Sequence, residues 1–213
     1  MRRVLSLLPP LLLGLAALVL VVGWNQLPAS WPIHWGLDGQ PNGWATKSFG
    51  SAFMPLGLGL GMWLFFEVIA SYTQSRTTDQ LSPPDSRRLA GATADLVRWT
   101  ATPMAAVMAF LSAALPFRPE LGTSRLLPGL ILGGILAAIG LGLVAYLRVL
   151  GQLTLPPAYK GLLYNDPHDR RLWVPKLLGA GWTINFGHPH ALPATLALLG
   201  LLLTPLALLM MAR

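Results

Sequence analysis

The chain has 213 residues, of which 54% are hydrophobic and only 11% charged, and its formal net charge is +7. Soluble domains carry about 25% charged residues, so the composition excludes an ordinary soluble protein and indicates a surface that largely faces lipid. Cysteine is absent, which excludes disulfides, thiolate metal sites and a cysteine nucleophile. The longest polar segment has about 35 residues, fewer than the roughly 40 that unaided folding needs, so no separate soluble domain is expected.

Five apolar runs follow one another along the chain, each of the roughly 20 residues that a helix needs to cross the hydrocarbon core. We therefore predict an all-α integral membrane protein, a bundle of about five transmembrane helices at about Val4–Val22, Ser51–Tyr72, Ala94–Leu115, Leu126–Leu147 and Ala191–Ala212. The first run exceeds the ~7–15 residues of a signal-peptide core. No small-residue cleavage site follows it, so we expect it to be retained.

The polar segments between these runs define the expected domain organisation. It comprises an N-terminal two-span domain (1–72) with a folded extracytoplasmic loop (24–50), a cytoplasmic linker (73–93), the third and fourth spans (94–147), a cytoplasmic membrane-surface module (148–190) and the fifth span (191–213). Glycines four residues apart, Gly57 with Gly61 and Gly129 with Gly133, favour close packing between these helices.

Basic residues are distributed unevenly over the connecting segments. With the N-terminus inside, four of the 15 Lys and Arg residues lie on the outer side, namely Lys47, Arg118, Arg125 and Arg213, and the other eleven lie on the cytoplasmic side. Cytoplasmic segments carry an excess of basic residues, which favours an N-in/C-out topology. Because topology explains the positive charge, a nucleic-acid partner is not expected.

The outer loop, Leu27 to Lys47, concentrates aromatic residues, glycines and prolines in a short polar segment, which is typical of a folded, turn-rich loop. Its candidate ligand-binding residues are Trp31, His34, Trp35, Trp44 and Lys47. A histidine among tryptophans can titrate near neutral pH and can bind a ligand. The alternative is a histidine that only secures the loop, with the tryptophans at the membrane interface. Asp38, followed by Gly39, is expected to form a turn.

Glu67 is the acidic residue inside an apolar run, where a charge is costly and commonly functional. It could handle protons or ions, or it could be satisfied by snorkelling or by an arginine partner. The histidines lack a spacing that fixes a metal site, and the sequence contains no dinucleotide, phosphate-loop or metalloprotease motif. We therefore expect no metal and no cofactor.

The segment from Arg148 to His190 mixes basic and aromatic residues, a combination that suits the headgroup layer of an anionic membrane. Its candidate functional residues are Asn165, Asp166, Arg171, Trp173, Lys176, Trp182 and Asn185. The segment could lie on the membrane surface or dock a cytoplasmic regulatory protein.

Two motifs resemble known families. The outer-loop residues Pro32-Ile33-His34-Trp35, Gly39, Gly43-Trp44 and Lys47 are similar to the N-terminal membrane domain of the SdpI-like family. That family is named for a bacterial immunity protein that protects against a toxic peptide and takes part in signalling. The second motif, Asn165-Asp166-Pro167 with Arg171 to Lys176 and Gly181 to Phe186, resembles a C-terminal domain of unknown function that accompanies the first in bacterial membrane proteins. The resemblance implies a multi-pass protein of the bacterial cytoplasmic membrane.

These observations favour a sensor, an immunity factor or a signal-transducing factor. Its outer loop would engage an envelope peptide or small ligand, and its inner module would contact lipid or a regulatory protein. The alternatives are a small transporter or membrane enzyme that uses Glu67 or His34, and a structural subunit of a membrane complex. Enzymes need several convergent groups, and the sequence shows isolated ones, so a non-enzymatic role is favoured.

Overall fold

A computed structural model describes the backbone of residues 2–36, 38–178 and 181–211, and the side chains of residues 4–36, 38–178 and 181–205. The chain is 62% helical. Its helices are α1 (Arg2–Val22), α2 (Phe49–Gln74), α3 (Pro83–Ala113), α4 (Leu127–Leu150) and α5 (Ala191–Met211). Its short strands are β1 (Ser30–Trp35), β2 (Pro41–Thr46), β3 (Tyr159–Lys160), β4 (Leu163–Tyr164), β5 (Trp173–Pro175) and β6 (Trp182–Ile184).

Helices α1 to α4 are long and apolar enough to cross a membrane, which confirms the predicted helical membrane protein. Helix α5 is also apolar, but the part of it with described side chains, Ala191–Pro205, is shorter than a span. The fifth crossing therefore stays a prediction, as does the N-in/C-out orientation. Residues 212 and 213, the end of the predicted fifth span, lie outside the described residues.

The chain divides into two compact units, and helix α3 contributes to both. The first unit comprises Met1–Ser75 and Gly91–Arg148, and the second comprises Arg76–Ala90 and Val149–Arg213. The first therefore holds α1, α2, β1, β2, α4 and most of α3. The second holds the start of α3, strands β3 to β6 and α5.

The core of the first unit runs from the helices into the extramembrane strands without a break. Its buried residues come from α1 (Leu13, Ala16, Leu20), from α2 and α3 (Ala52, Leu56, Ala105) and from the segment around β1 and β2 (Leu27, Trp31, Ala45). Burying apolar area against helix ends stabilises a two-stranded sheet, which is at best marginally stable alone in water. The strands are therefore held by the helices below them.

Local sequence explains where α2 and α3 begin. The Ser48 hydroxyl accepts a hydrogen bond from the Ser51 backbone N–H at 3.1 Å, and Ser51 Oγ accepts one from the Ser48 backbone N–H. This reciprocal capping box satisfies two free donors at the start of α2. Helix α3 begins at Pro83, inside the segment predicted as a linker. Proline is favoured in the first helical turn, where its missing N–H costs nothing.

The packed glycines are not those that the four-residue spacing predicts. A Cβ atom on Gly57, Gly61, Gly129 or Gly133 would meet no other atom within 4 Å. On Gly59, by contrast, it would lie 2.9 Å from Leu13 Cδ2 on α1 and 3.0 Å from Met108 Cβ on α3. At Gly59, therefore, side chains of both α1 and α3 pack against the backbone of α2.

We predict that Gly59→Val destabilises the protein and that Gly57→Val does not. Both substitutions place the same β-branched side chain in the same helix, so their effects on helix propensity cancel in the comparison. Only Gly59→Val inserts atoms into a filled space, and overpacking typically costs about 1–3 kcal/mol. Thermal unfolding in detergent should therefore show a lower midpoint for Gly59→Val alone. Equal midpoints for the two variants would contradict this packing.

Candidate functional site

Strands β1 and β2 form an antiparallel hairpin, which we call the first hairpin (30–46). Trp31 pairs with Ala45 and His34 pairs with Gly43, with irregular register on both sides of His34. The predicted turn-rich loop is therefore two bulged strands joined by a turn. Asp38 acts in that turn as expected, because its Oδ1 accepts a hydrogen bond from the Gln40 backbone N–H at 3.1 Å.

Two of the predicted binding residues anchor the first hairpin. Trp31 is only 1% exposed and belongs to the core of the unit. Trp35 Nε1 donates a hydrogen bond to the Gly122 carbonyl at 2.6 Å, which ties the hairpin to the turn Pro119–Thr123. A Cβ atom on Gly122 would overlap Pro32, so glycine permits this close approach. Trp31 is therefore buried, and Trp35 is half-buried with its indole N–H already bonded.

Lys47 is also held in place. Its Nζ donates to the Leu27 carbonyl at 3.3 Å and lies 5.4 Å from the centroid of the Trp24 ring, in a cation–π arrangement. Trp24 in turn stacks on Phe49, with ring centroids 4.4 Å apart. Lys47 therefore fastens the end of β2 to the segment that follows α1. The sequence did not single out Trp24.

The exposed side chains of the first hairpin include His34 and Trp44, and also Ile33, which was not predicted. Trp44 is 56% and Ile33 47% exposed, and His34 is exposed as well. His34 Nδ1 hydrogen-bonds to Asn42 Oδ1. With the amide oxygen as acceptor, the Nδ1 N–H is the donor in this contact, and Nε2 takes no part in it. Asn42 could be identified as the partner of His34 only from the strand register, which places the neighbouring Gly43 opposite His34.

Glu67 has an arginine partner, which is one of the alternatives that the sequence left open. Arg98 Nε donates to Glu67 Oε2 at 3.1 Å, and Arg98 Nη1 donates to Gln74 Oε1 at 3.2 Å. Asp95 Oδ1 lies 3.7 Å from the same Nη1, one turn away on α3. Arg98 is 7% exposed. We call Glu67, Gln74, Asp95 and Arg98 the polar cluster.

The polar cluster lies in the second half of α2 and near the middle of α3. With a rise of 1.5 Å per residue, Glu67 lies about 27 Å along α2 from Phe49, and Arg98 lies about 22 Å along α3 from Ala113. A span of α2 that starts at Phe49 would thus place Glu67 close to the far boundary of a hydrocarbon core about 30 Å thick. Sequence analysis missed Arg98, although an aspartate and an arginine three residues apart in an apolar helix were a usable signal.

In the second unit, strands β3 to β6 form two antiparallel hairpins, which we call the two-hairpin module (156–190). Asn185 is fully buried and links them. Its Oδ1 accepts from the backbone N–H groups of Asp166 and Gly187 at 3.0 Å, and its Nδ2 donates to the Asp166 and Asp169 carbonyls at 2.8 and 2.9 Å. The predicted residue Asn185 therefore has a structural role, and the backbone of Asp166 is part of the same network.

Arg171 is paired within the two-hairpin module. Its Nη2 donates to Asp169 Oδ2 at 2.7 Å, and Tyr164 Oη donates to the same oxygen at 2.9 Å. The Arg171 guanidinium holds the pKa of Asp169 well below its usual range. Desolvation, followed by the hydrogen bond to Asp169, raises the pKa of Tyr164. Asp169 was not predicted.

The remaining candidates of the module lie on its surface. Trp173 is 43% and Trp182 62% exposed, and Lys176 is exposed on the connection between β5 and β6. Asn165 is half-buried, and its backbone N–H donates to the Ala158 carbonyl at 2.7 Å. Within the described ranges, no group of three His, Asp or Glu side chains is placed to hold a metal ion.

Comparisons with known proteins give two partial matches. A domain of unknown function, DUF1648, matches residues 11–59, which include most of α1, the first hairpin and the start of α2. A family of unknown function, DUF5808, matches residues 167–192, which include most of the two-hairpin module. No curated protein and no solved structure matches the chain. The two recognisable segments thus coincide with the two places where strands interrupt the helices.

We predict that Arg98→Gln destabilises the protein strongly, because it removes the buried partner of an ion pair and leaves the half-buried Glu67 without its cation. Breaking a buried ion pair typically costs about 3–5 kcal/mol. Arg118→Gln is the matched control, since Arg118 pairs with Glu120 at 3.6 Å and both side chains are largely exposed. Exposed pairs contribute about 0–1 kcal/mol.

Thermal unfolding should show a large decrease in midpoint for Arg98→Gln and almost none for Arg118→Gln. Adding Glu67→Gln to Arg98→Gln should restore part of the loss, because the orphaned charge is removed. If Arg98→Gln unfolds like the control, the polar cluster does not hold α2 and α3 together.

Proposed function

We propose that this protein is a multi-pass receptor or immunity factor of a bacterial cytoplasmic membrane, and that its first hairpin binds an envelope peptide. The observation that carries the proposal is that some side chains of the hairpin anchor it and others stay exposed. Trp31 and Trp35 fix it to the helices, whereas Ile33, His34 and Trp44 remain exposed on the fixed frame. Preorganised surfaces bind more tightly, because less freedom is lost on binding.

The chemistry of the exposed face suits a peptide. Trp44 and Ile33 offer apolar contact, and aromatic side chains are common at the centres of binding interfaces. His34 offers Nε2 to a polar group. Each strand of the two-stranded sheet has one strand partner, so an extended peptide can also pair with an outer strand edge. The SdpI-like resemblance of this segment supports a peptide ligand, and the match to DUF1648 covers the same residues.

The alternative of a transporter or membrane enzyme finds less support. Glu67 is held by Arg98 in an ion pair, so the polar cluster closes α2 against α3. Among the described contacts, His34 pairs with an amide and not with a carboxylate or a nucleophile. A catalytic histidine commonly needs such partners. A binding function needs only the exposed surface.

Signal transfer would follow from the continuous core. The first hairpin shares that core with α1 and α2, so a ligand that shifts the hairpin also shifts the helix ends. In this proposal, α2 carries the displacement to the polar cluster and onward to a cytoplasmic regulatory protein.

The binding test uses Trp44→Ala and His34→Ala, with Thr46→Ala as the matched control. All three side chains are exposed on the first hairpin, so unfolding midpoints should stay near that of the unmodified protein. A panel of amphipathic antibacterial peptides serves as the probe, with the purified protein in lipid nanodiscs. Loss of a central aromatic contact costs about 2 kcal/mol, so Trp44→Ala should raise the Kd of any bound peptide about 30-fold. Thr46→Ala should not.

A growth assay provides the cellular counterpart. Bacteria that express the intact protein or Thr46→Ala should tolerate the bound peptide, whereas cells expressing Trp44→Ala or His34→Ala should be killed at equal protein levels. Unchanged peptide affinity in both variants would refute the proposal. Failure of His34→Ala to accumulate would instead show that His34 only secures the fold.

A further inference from the structure

The two-hairpin module exposes large apolar side chains that its own packing does not use. Leu162 and Leu163 lie at the tip of the β3–β4 hairpin and are 48% and 51% exposed. Trp173 and Trp182 lie on the outer face of the β5–β6 hairpin, where Trp182 faces Pro175 across the strands. Exposed apolar groups that cluster on a small unit mark an interaction surface.

These side chains are presented by a rigid frame. Tyr159 and Val174 are buried, and the Tyr159 hydroxyl donates to the Pro175 carbonyl at 3.0 Å, which joins the two hairpins. The Asn185 side chain joins the loop after β4 to the end of β6 through three hydrogen bonds to the backbone of Asp166 and Asp169. Since Val174 points inward, its strand neighbours Trp173 and Pro175 point outward, as the alternation of a strand requires. The exposure of Trp173 is therefore built into the fold.

Charge is added to this surface by exposed cations. The segment 156–190 contains four Lys or Arg residues and two aspartates. One of the aspartates, Asp169, is occupied by Arg171. Lys160, Arg170 and Lys176 are exposed, and none of them forms an ion pair with the residues that the structure describes. The module therefore presents three cations beside apolar and indole side chains.

The module leads directly into an apolar helix. His190 is the last residue before α5, which begins at Ala191. The first turns of α5 expose Leu192, Leu196 and Leu199 by 67%, 58% and 47%, a pattern that only lipid or another apolar partner can cover. With α5 as the predicted fifth span, the module attached to it without a linker starts at the membrane surface.

We propose that the two-hairpin module lies on the membrane and binds anionic lipid headgroups, with Leu162, Leu163, Trp173 and Trp182 in the interface. Tryptophan is favoured at headgroup level, because its ring is apolar and its N–H is polar. Lys160, Arg170 and Lys176 face the lipid phosphates. Each basic residue near an anionic surface strengthens binding about fivefold before screening by salt. This inference does not depend on what the first hairpin binds.

The test uses the full-length chain in nanodiscs, and the absence of native cysteine makes single-site labelling direct. An environment-sensitive fluorophore is attached at Leu162→Cys, and in a second protein at His168→Cys as the matched control. His168 is exposed on the same module and is not among the four apolar side chains proposed to enter the interface. Lipids that carry a spin label near the headgroup should quench the Leu162 fluorophore strongly and the His168 fluorophore weakly in anionic nanodiscs.

The electrostatic part is tested in the same system. Zwitterionic nanodiscs should reduce quenching at Leu162, and so should the triple variant Lys160→Gln, Arg170→Gln, Lys176→Gln in anionic nanodiscs. Arg171→Gln should reduce it less, because Arg171 is already paired with Asp169. Equal quenching at Leu162 and His168 would overturn the proposal. It would also be overturned if quenching at Leu162 changed neither with lipid charge nor in the triple variant. An unquenched Leu162 that becomes protected only in native membranes would overturn it in favour of a protein partner.

Discussion

The organisation of the first unit depends on one constraint: hydrocarbon offers no hydrogen-bond partner, so every polar group inside it must find one within the protein. Two indole N–H groups meet this requirement by hydrogen-bonding to a carbonyl of a neighbouring helix. Trp63 donates to the Ser6 carbonyl at 2.9 Å, and Trp99 donates to the Ala138 carbonyl at 2.6 Å. The same constraint explains why Glu67 and Arg98 occur together. Each such contact joins two helices, so satisfying polar groups also orients the helices.

Outside the hydrocarbon the constraint is relaxed, and there the chain forms strands. The first hairpin would be marginal alone, but Trp31 inserts into the core formed by α1 and α2, and Trp35 bonds to the turn after α3. These contacts hold the hairpin in place, while Ile33, His34 and Trp44 remain exposed. The two-hairpin module is similar in this respect. The buried Asn185 side chain hydrogen-bonds neighbouring backbone groups, and Trp173 and Trp182 remain exposed.

Composition and hydropathy predict the helical membrane class, because both depend on averages over many residues. Which residues of a helix contact its neighbours was harder to predict. The spacing of Gly57 and Gly61 indicates a packing face, yet the packed glycine is Gly59. A four-residue repeat shows which residues share a face, but not whether another helix lies against it. The abundance of small residues in α2 made that choice ambiguous.

The candidate residues of the first hairpin show the same limit. Trp31 and Trp44 look equivalent in the sequence, but one is buried and the other exposed. Strand register decides the difference, and bulges beside His34 shift that register. The arginine partner of Glu67 was foreseen as a type of contact. Its identity, Arg98, required the packing of α2 on α3.

The central claim is that the first hairpin faces the outside of the cell, and single-cysteine labelling in bacterial spheroplasts tests it most directly. The contact between β1 and the turn Pro119–Thr123 places Ser30 and Thr123 at the same end of the first unit. A membrane-impermeant maleimide should label Ser30→Cys and Thr123→Cys, and should spare Ser82→Cys and His168→Cys until the membrane is permeabilised. Labelling of Ser82→Cys in intact spheroplasts, with Ser30→Cys protected, would contradict the account.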